Sequence, residues 1–328
     1  MSQYQKHYLI TGGAGFIGSH LINALKEDSG LLITCIDNFD PFYPRQIKLL
    51  NTEDWEEYQN ILVFDRDITG LTAHELHKIL PQKVDVIIHL AARAGVRPSI
   101  ADPVGYQKCN VVGTQVLLDF AQQTGVPHFV FASSSSVYGV NKNMPWNEEE
   151  RLQPISPYAM TKLAGEMAGH VASHLNEMRF VALRFFTVYG PAQRPDLAIH
   201  KFIRAIDNGE PIPMYGDGYS SRDYTFVGDT VKGILAAIDY KASPFEIINL
   251  GNHYSISLKD LIKTIEEVTG KTANLQQLPE QPGDAPHTYA DISKAQRLLN
   301  YQPTTKLRDG IQAFYDWYQQ HKEVLLVS

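Results

Sequence analysis

Short apolar runs alternate with amphipathic stretches along the first half of the chain. The runs "HYLIT", "LLITCID", "ILVFD", "VDVIIHL", "HFVFAS" and "FVALRFF" have strand length and strand composition. Between them, helical segments start at Phe16, Ala73, Val104 and Ser156. This rhythm predicts an α/β fold built on a doubly wound parallel sheet. After Gly190 the pattern loosens into Gly/Pro-rich text, "YGPAQRP", "NGEPIPMYGDGYSSRDY" and "LPEQPGDAPHTY", separated by helices near Leu197, Asp229, Ser257 and Lys306. The expected organisation is a sheet domain over residues 1–185 and a smaller mixed α/β lobe over 186–328. A segment near 225–252 is expected to return to the sheet, because "FEIINLG" again reads as a strand.

Bulk properties then narrow the function classes. A chain of 328 residues with 44% hydrophobic content can bury a full core. The net charge is −7 and no Lys/Arg cluster runs along a predicted helix, so neither nucleic acid nor an anionic membrane is an expected partner. The N-terminal run enters a strand almost at once, with no long apolar core or cleavage site, and no later run reaches membrane-spanning length; the cytoplasm is the expected location. Cys35 and Cys109 are far apart and Cys35 sits inside an apolar strand, so no disulfide and no metal site are expected.

The first chemical signal is "TGGAGFIG", which follows a strand and opens a helix. Gly12, Gly15 and Gly18 permit a tight turn and close backbone approach of a pyrophosphate to the helix N-terminus, where Phe16 and Ile17 also lie. A glycine-rich turn without a ligand is the structural alternative. Asp37 ends the second strand, where a carboxylate accepts from adenosine ribose hydroxyls and repels a 2′-phosphate, which favours NAD+ over NADP+. Asn38 follows it, and Arg45 nearby is the one feature against that preference. Asp67 and Ile68 after the third strand, and Leu90, Ala91 and Ala92 after the fourth, would line the cofactor's path or serve only the fold.

The second signal is "SPYAMTKLAGE", which places Tyr158 and Lys162 one helical turn apart on one face. A free Tyr titrates near ~10, and an adjacent ammonium lowers that value, so the pair works as one acid/base device. The third is "FASSSSVYG", whose hydroxyls fall at the carboxyl end of a strand, where ligands bind in this fold class.

Together, "TGGAGFIG", Asp37, "HLAA", "SSSSVYG", "YAMTK" and "RDYTFVGD" resemble the extended short-chain dehydrogenase/reductase superfamily, in its NAD-dependent nucleotide-sugar epimerase/dehydratase branch. The resemblance covers essentially the whole chain. It implies that Tyr158 transfers the proton, that Ser134 shares the substrate 4-hydroxyl with it, and that Lys162 holds the nicotinamide ribose and lowers the Tyr158 pKa. It further implies that Asn110 supports the backbone of the site and that Arg222 binds the diphosphate. Resembling 4,6-dehydratases carry Asp-Glu before "VYG" and uronate decarboxylases a Glu; here Ser135 and Ser136 stand there. That leaves inversion at C4 of a UDP-sugar through a 4-keto intermediate, with tightly bound NAD+ regenerated in each turnover.

"RFFT", "QRPD", "AGVR" and "QPGDAPHTYADI" are similar to the UDP-glucuronate 4-epimerase subgroup. A C6 carboxylate needs positive charge and short hydroxyl donors, which Arg194 and Thr187 supply, the guanidinium bidentately, with Ser135 or Ser136 assisting. The 4-keto form of a uronate is a β-keto acid, so the same residues would also hold the carboxylate against loss of CO2. Arg97 is a further candidate that faces either substrate or cofactor, and Asp284 lies in the C-terminal substrate loop. Gln281-Pro282 precedes Gly283-Asp284 where many relatives have an Arg, which shifts weight to Arg222. The structural alternative has Thr187 ending a core strand and Arg194 capping a loop through an ion pair. A neutral UDP-hexose or UDP-N-acetylhexosamine 4-epimerase, a decarboxylase or dehydratase, and a cofactor-sensing protein without turnover are the other functional readings. The helices Val104 to Gln123 and Ser156 to Leu175 correspond to those that pair in dimers of resembling proteins, so a homodimer is expected.

Overall fold

The computed structural model describes residues 4–279 and 286–327. Seven parallel strands form the main sheet: β1 (Lys6–Thr11), β2 (Leu31–Asp37), β3 (Ile61–Asp65), β4 (Val86–His89), β5 (His128–Ser134), β6 (Arg179–Phe185) and, beyond three short strands of the second lobe, β10 (Phe245–Leu250). Those three are β7 (Thr187–Tyr189), β8 (Pro211–Tyr215) and β9 (Ser221–Phe226); β11 (Ser255–Ser257) and β12 (Asn274–Leu278) follow. The main sheet runs β3-β2-β1-β4-β5-β6-β10, so strand order reverses between β1 and β4 and opens a crevice at their carboxyl ends.

The helices are α1 (Phe16–Leu25), α2 (Arg45–Leu50), α3 (Ala73–Ile79), α4 (Val96–Ala101), α5 (Pro103–Gln107), α6 (Gly113–Thr124), α7 (Pro157–Asn176), α8 (Ala198–Asn208), α9 (Val227–Ile238), α10 (Leu258–Thr269), α11 (Ser293–Leu299) and α12 (Leu307–Val327). One sheet face packs on α1 and α9, the other on α3, α6 and α7. The helix anticipated from Val104 to Gln123 is not continuous. It is split by a π-helical turn at Lys108–Val112, and that widened turn buries Asn110 and directs its amide across to α7.

β7, β9 and β11 form a second sheet, and β8 pairs with β12. α8, α10 and α12 close a third core around Ile203, Leu261 and Phe314. Tyr43 and Ile47, from the segment after β2, are buried in this core rather than in that of their own lobe.

α7 lies close on the sheet because its inner face is glycine. A Cβ on Gly165 would sit 2.3 Å from Phe131 Cζ, and one on Gly169 2.1 Å from Phe180 Cζ. Gly169→Ala is therefore expected to destabilise the fold by about 1–3 kcal/mol, because overpacking exceeds the ~1 kcal/mol gained in helix propensity. A lowered urea midpoint measures it, and an unchanged or raised midpoint contradicts the packing argument.

His89 ends β4 with Nδ1 accepting from the Thr11 hydroxyl at 2.7 Å and Nε2 donating to Thr114 Oγ1 at 3.0 Å, a hydroxyl that itself donates to the Asn110 carbonyl. Burial, and then the Lys162 charge, push its pKa down to about 3. A depressed pKa contributes stability above the unfolded value of ~6.5 that is lost as pH falls toward the folded value. Between pH 7 and 5 the wild type is expected to lose about 2 kcal/mol more than His89→Gln, which has no such proton to bind. Urea titrations of both proteins at the two pH values test this, and parallel losses would refute it.

Candidate functional site

β1 ends and α1 begins around Gly12, whose φ of 71° and close approach to the chain leaving β4 suit only glycine. A Cβ there would lie 2.6 Å from the Ala91 amide nitrogen. The N-cap of α1 is Gly15, which offers no side-chain acceptor, so the first amides of the helix are left for a ligand. Gly12, Gly15, Phe16, Ile17 and Gly18 line a cavity of about 780 Å³ that runs along the carboxyl edge of the sheet into the second lobe. Asp37, Asn38, Asp67, Ile68, Leu90, Ala91 and Ala92 line the same cavity.

At the end of β2, Asp37 Oδ1 accepts from the Phe39 amide at 2.8 Å and from Lys48 Nζ at 2.9 Å. Arg45 turns away to Asp65, at 2.7 Å, and covers the Phe39 ring. Asp67 caps the turn that follows it by accepting from Thr69. An uncapped helix N-terminus, a buried carboxylate at the end of β2 and a long groove between them fit a dinucleotide.

Ser156 caps α7 by accepting from the Ala159 amide at 3.1 Å, and Pro157 starts the helix. Tyr158 and Lys162 then face β5 on one side of α7. The Tyr158 phenol lies beside the Ser134 hydroxyl, which accepts from Ser136 N and Oγ and eases the phenol pKa downward. Lys162 Nζ donates to the Ala132 carbonyl at 2.6 Å.

Among the protein's own groups, Lys162 is not one of those that shift the Tyr158 phenol. Burial raises the phenol, opposed by Ser134 and then by Arg194. Lys162 is itself pushed down to about 8, mainly by burial, and is therefore a weaker cation than a solvated lysine. Asn110 ties the loop after β4 to α7: its Oδ1 accepts from the Arg93 amide at 2.8 Å and its Nδ2 donates to the Arg93 carbonyl and to Thr161 Oγ1, both at 2.9 Å.

Ser134, Ser135, Ser136, Thr187, Arg194, Arg222 and Arg97 line the cavity wall on the second-lobe side. Thr187 opens β7, Arg97 lies on α4, and Arg222 lies on β9 with Nη1 donating to the Ser221 and Pro286 carbonyls. Asp284, with Gln281, Pro282 and Gly283, lies outside the described residues. Arg194 differs from the bidentate clamp anticipated for a substrate. Its Nε and Nη2 grip Asp196 at 2.9 and 2.7 Å, an acidic side chain two residues away that reaches the guanidinium locally, and Nη2 also reaches the Ala94 carbonyl. Its flat face covers the Phe42 ring at 5.0 Å.

Several lining or supporting residues were not singled out in the sequence. Lys48 belongs to α2, too short a helix to show periodicity. Asp196 sits beside Arg194 in the text and is the partner a local ion-pair rule would have found. Glu166 continues the Tyr158, Lys162 spacing by one more turn. Among the described residues, no group of three or more His, Cys, Asp or Glu is placed to hold a metal, and no helix is long and apolar enough to cross a membrane.

Comparison with known proteins agrees with this geometry. The family described as GDP-mannose 4,6 dehydratase matches residues 9–314. A UDP-glucuronate 4-epimerase of Thermodesulfobacterium geofontis is 36% identical, with 97% of this chain and 98% of that protein covered. The crystal structure of a UDP-glucuronic acid 4-epimerase from Bacillus cereus, in complex with UDP-glucuronic acid and NAD, superposes with a TM-score of 0.91 at 38% identity, covering 96% of this chain and 99% of that one. A UDP-glucose 4-epimerase from Thermotoga maritima gives 0.88 at 30% identity, covering 96% and 99%. With a family match along nearly the whole chain and relatives of this identity end to end, the chain belongs to the nucleotide-sugar epimerase/dehydratase family of extended short-chain dehydrogenases/reductases.

Proposed function

We propose that this protein is an NAD-dependent UDP-sugar 4-epimerase whose substrate is UDP-glucuronate, converted to UDP-galacturonate. The observation that carries the sugar assignment is the cavity wall beside Tyr158: the hydroxyls of Ser135, Ser136 and Thr187 and the Arg194 guanidinium gather there, while no carboxylate occupies the two positions before Val137. Short hydroxyl donors with one cation suit a C6 carboxylate, and the missing acid and base groups disfavour elimination and decarboxylation. Arg194 contributes as a fixed positive edge: Nη1 carries no hydrogen bond among the described residues, while Asp196 holds the rest of the group still. A carboxylate held there is kept from the alignment in which its bond to C5 breaks.

Tyr158 takes the proton from the 4-hydroxyl and later returns one, and Ser134, beside the phenol, orients that hydroxyl. NAD+, held along the α1 groove, supplies a reversible hydride acceptor for C4, so that a 4-keto sugar can form and be reduced on its other face. Lys162 keeps positive charge beneath the phenol and holds the β5 carbonyl. Arg222 binds the diphosphate at the mouth of the second lobe. The dinucleotide domain comprises residues 1–185 with the return segment near 225–252, and the sugar-nucleotide lobe the remainder.

The assembly is a homodimer. α5 exposes Val104 at 75%, and α7 exposes Val171 at 55% and Leu175 at 70% together with Met160 and Met167, apolar side chains that a second copy would cover. Its expected location is the cytoplasm.

Incubation with UDP-glucuronate without added NAD+, followed by proton NMR of the sugar, is expected to yield UDP-galacturonate; conversion of neutral UDP-hexoses alone would transfer the assignment to a hexose epimerase. Tyr158→Phe is expected to lower kcat by about 100-fold or more. Arg194→Ala should discriminate against the uronate specifically, by about 10–100-fold in kcat/KM, while leaving any hexose activity within about threefold. Equal losses on both sugars would remove Arg194 from substrate recognition. Because burial pushes the Lys162 ammonium down to about 8 and it acts as the cation, kcat is expected to fall above that pH, and a flat profile up to pH 10 would contradict its role. Val171→Glu with Leu175→Glu is expected to halve the mass seen in sedimentation, and a monomeric wild type would dismiss the dimer.

A further inference from the structure

Behind the catalytic residues lies a buried charged network that the mechanism above does not use. Ser133, Arg184 and Asn249 occupy one row across β5, β6 and β10, since Ser133 is in register with Arg184 and Arg184 with Asn249. Glu166 descends from α7 onto this row. Its Oε1 accepts from the Ser133 hydroxyl and from Arg184 Nε at 2.9 Å, and its Oε2 accepts from Arg184 Nη2 at 2.8 Å. Arg184 Nη1 donates to the Tyr138 hydroxyl at 3.0 Å, and that hydroxyl donates to Asn249 Oδ1 at 2.8 Å. Asn249 in turn holds the Trp146 and Asp291 carbonyls. Glu166 is fully buried and Arg184 is 1% exposed.

An ion pair so placed is a poor stability device, because desolvating both ions consumes most of what their attraction returns. Its position accounts for it better. Tyr158, Lys162 and Glu166 stand one turn apart on α7 and face three consecutive residues of β5: the Tyr158 phenol lies beside the Ser134 hydroxyl, Lys162 bonds the Ala132 carbonyl, and Glu166 the Ser133 hydroxyl. Fixing three adjacent residues from one helix face removes the rotation and sliding of α7 that would separate the phenol from Ser134.

We propose that Glu166 and Arg184 are positioning residues for the epimerase reaction, holding α7 in register with the end of β5 and placing a permanent negative charge one turn behind Lys162. This rests on the catalytic reading given above. The groups around Lys162 are His89 from β4, Cys109 from the π-helical turn, and Tyr158 and Glu166 from α7, with Arg184 of β6 behind Glu166. His89 is neutral, and burial raises the Cys109 thiol, so Glu166 is the fixed anion of the set. It favours the protonated lysine against a burial that opposes it.

Two single variants separate the mechanical from the electrostatic part. Ser133→Ala cuts the strand clamp and leaves the ion pair whole; kcat is expected to fall about tenfold, with KM within about twofold of wild type. Glu166→Gln removes the charge, and the Lys162 titration, followed by NMR of [13C]lysine-labelled protein and assigned through Lys162→Met, is expected to move down by about half a pH unit or more. Glu166→Gln combined with Arg184→Met buries no lone charge and carries the test if the single variant does not fold; its shift is in the same direction but smaller, because the opposing Arg184 charge behind Glu166 is removed as well. A wild-type kcat in Ser133→Ala, or an unmoved Lys162 midpoint once Glu166 is neutral, overturns the proposal. If wild-type protein leaves UDP-glucuronate unchanged, the substrate reading fails by itself, and the lysine titration still decides the role of the pair.

Discussion

Everything in this molecule is arranged around one close approach, the passage of the turn after β1 beneath the chain leaving β4. Gly12 donates its amide to the Ile36 carbonyl at 2.8 Å and leaves no room for a side chain against Ala91. Because the strand order reverses there, the chains leaving β1 and β4 diverge above it, and a groove opens along the carboxyl ends of the sheet. α1 then points uncapped amides into that groove, and Tyr158, Lys162 and Ser134 stand further along the same edge. The crevice is a consequence of topology; its chemistry is added by residues at the ends of strands and the start of one helix.

The groove passes from a sheet that is rigid into a lobe built of short elements. Ser134 and Tyr158 belong to the first, Thr187, Arg194 and Arg222 to the second. The residues proposed for proton transfer therefore stand at the end of a buried strand and the start of a long helix, and those proposed to contact the sugar nucleotide sit on short strands and a loop that can change without disturbing the sheet.

Much of this was written plainly in the sequence. The apolar runs for β2 and β3 coincide with the strands residue for residue; β2 is buried along its whole length and has no polar face to blur it, and β3 at the sheet edge is marked by its β-branched and aromatic composition. The glycine pattern and the Tyr158, Lys162 spacing were equally legible, being local in the chain. What escaped was non-local or too short. α2 has six residues and no helical period, and only the fold shows that it reaches the other lobe. The π-helical turn reads as ordinary helix, since it differs by hydrogen bonding and not by composition. Arg194 lines the cavity, and its Asp196 partner, two residues on, changes what its guanidinium can offer. Glu166 looked like a charged helix residue, and only its meeting with Arg184, from a strand far along the chain, turns it into a buried anion.

The transfer of Tyr43 and Ile47 into the core of the second lobe has a kinetic meaning. The segment that carries them also lines the groove through Asp40, Phe42 and Lys48, so it crosses the ligand path while anchored at its far side by aromatic and aliphatic packing. Displacing this strap exposes Tyr43 and Ile47 to water, so the groove wall it forms moves only as that apolar packing is given up.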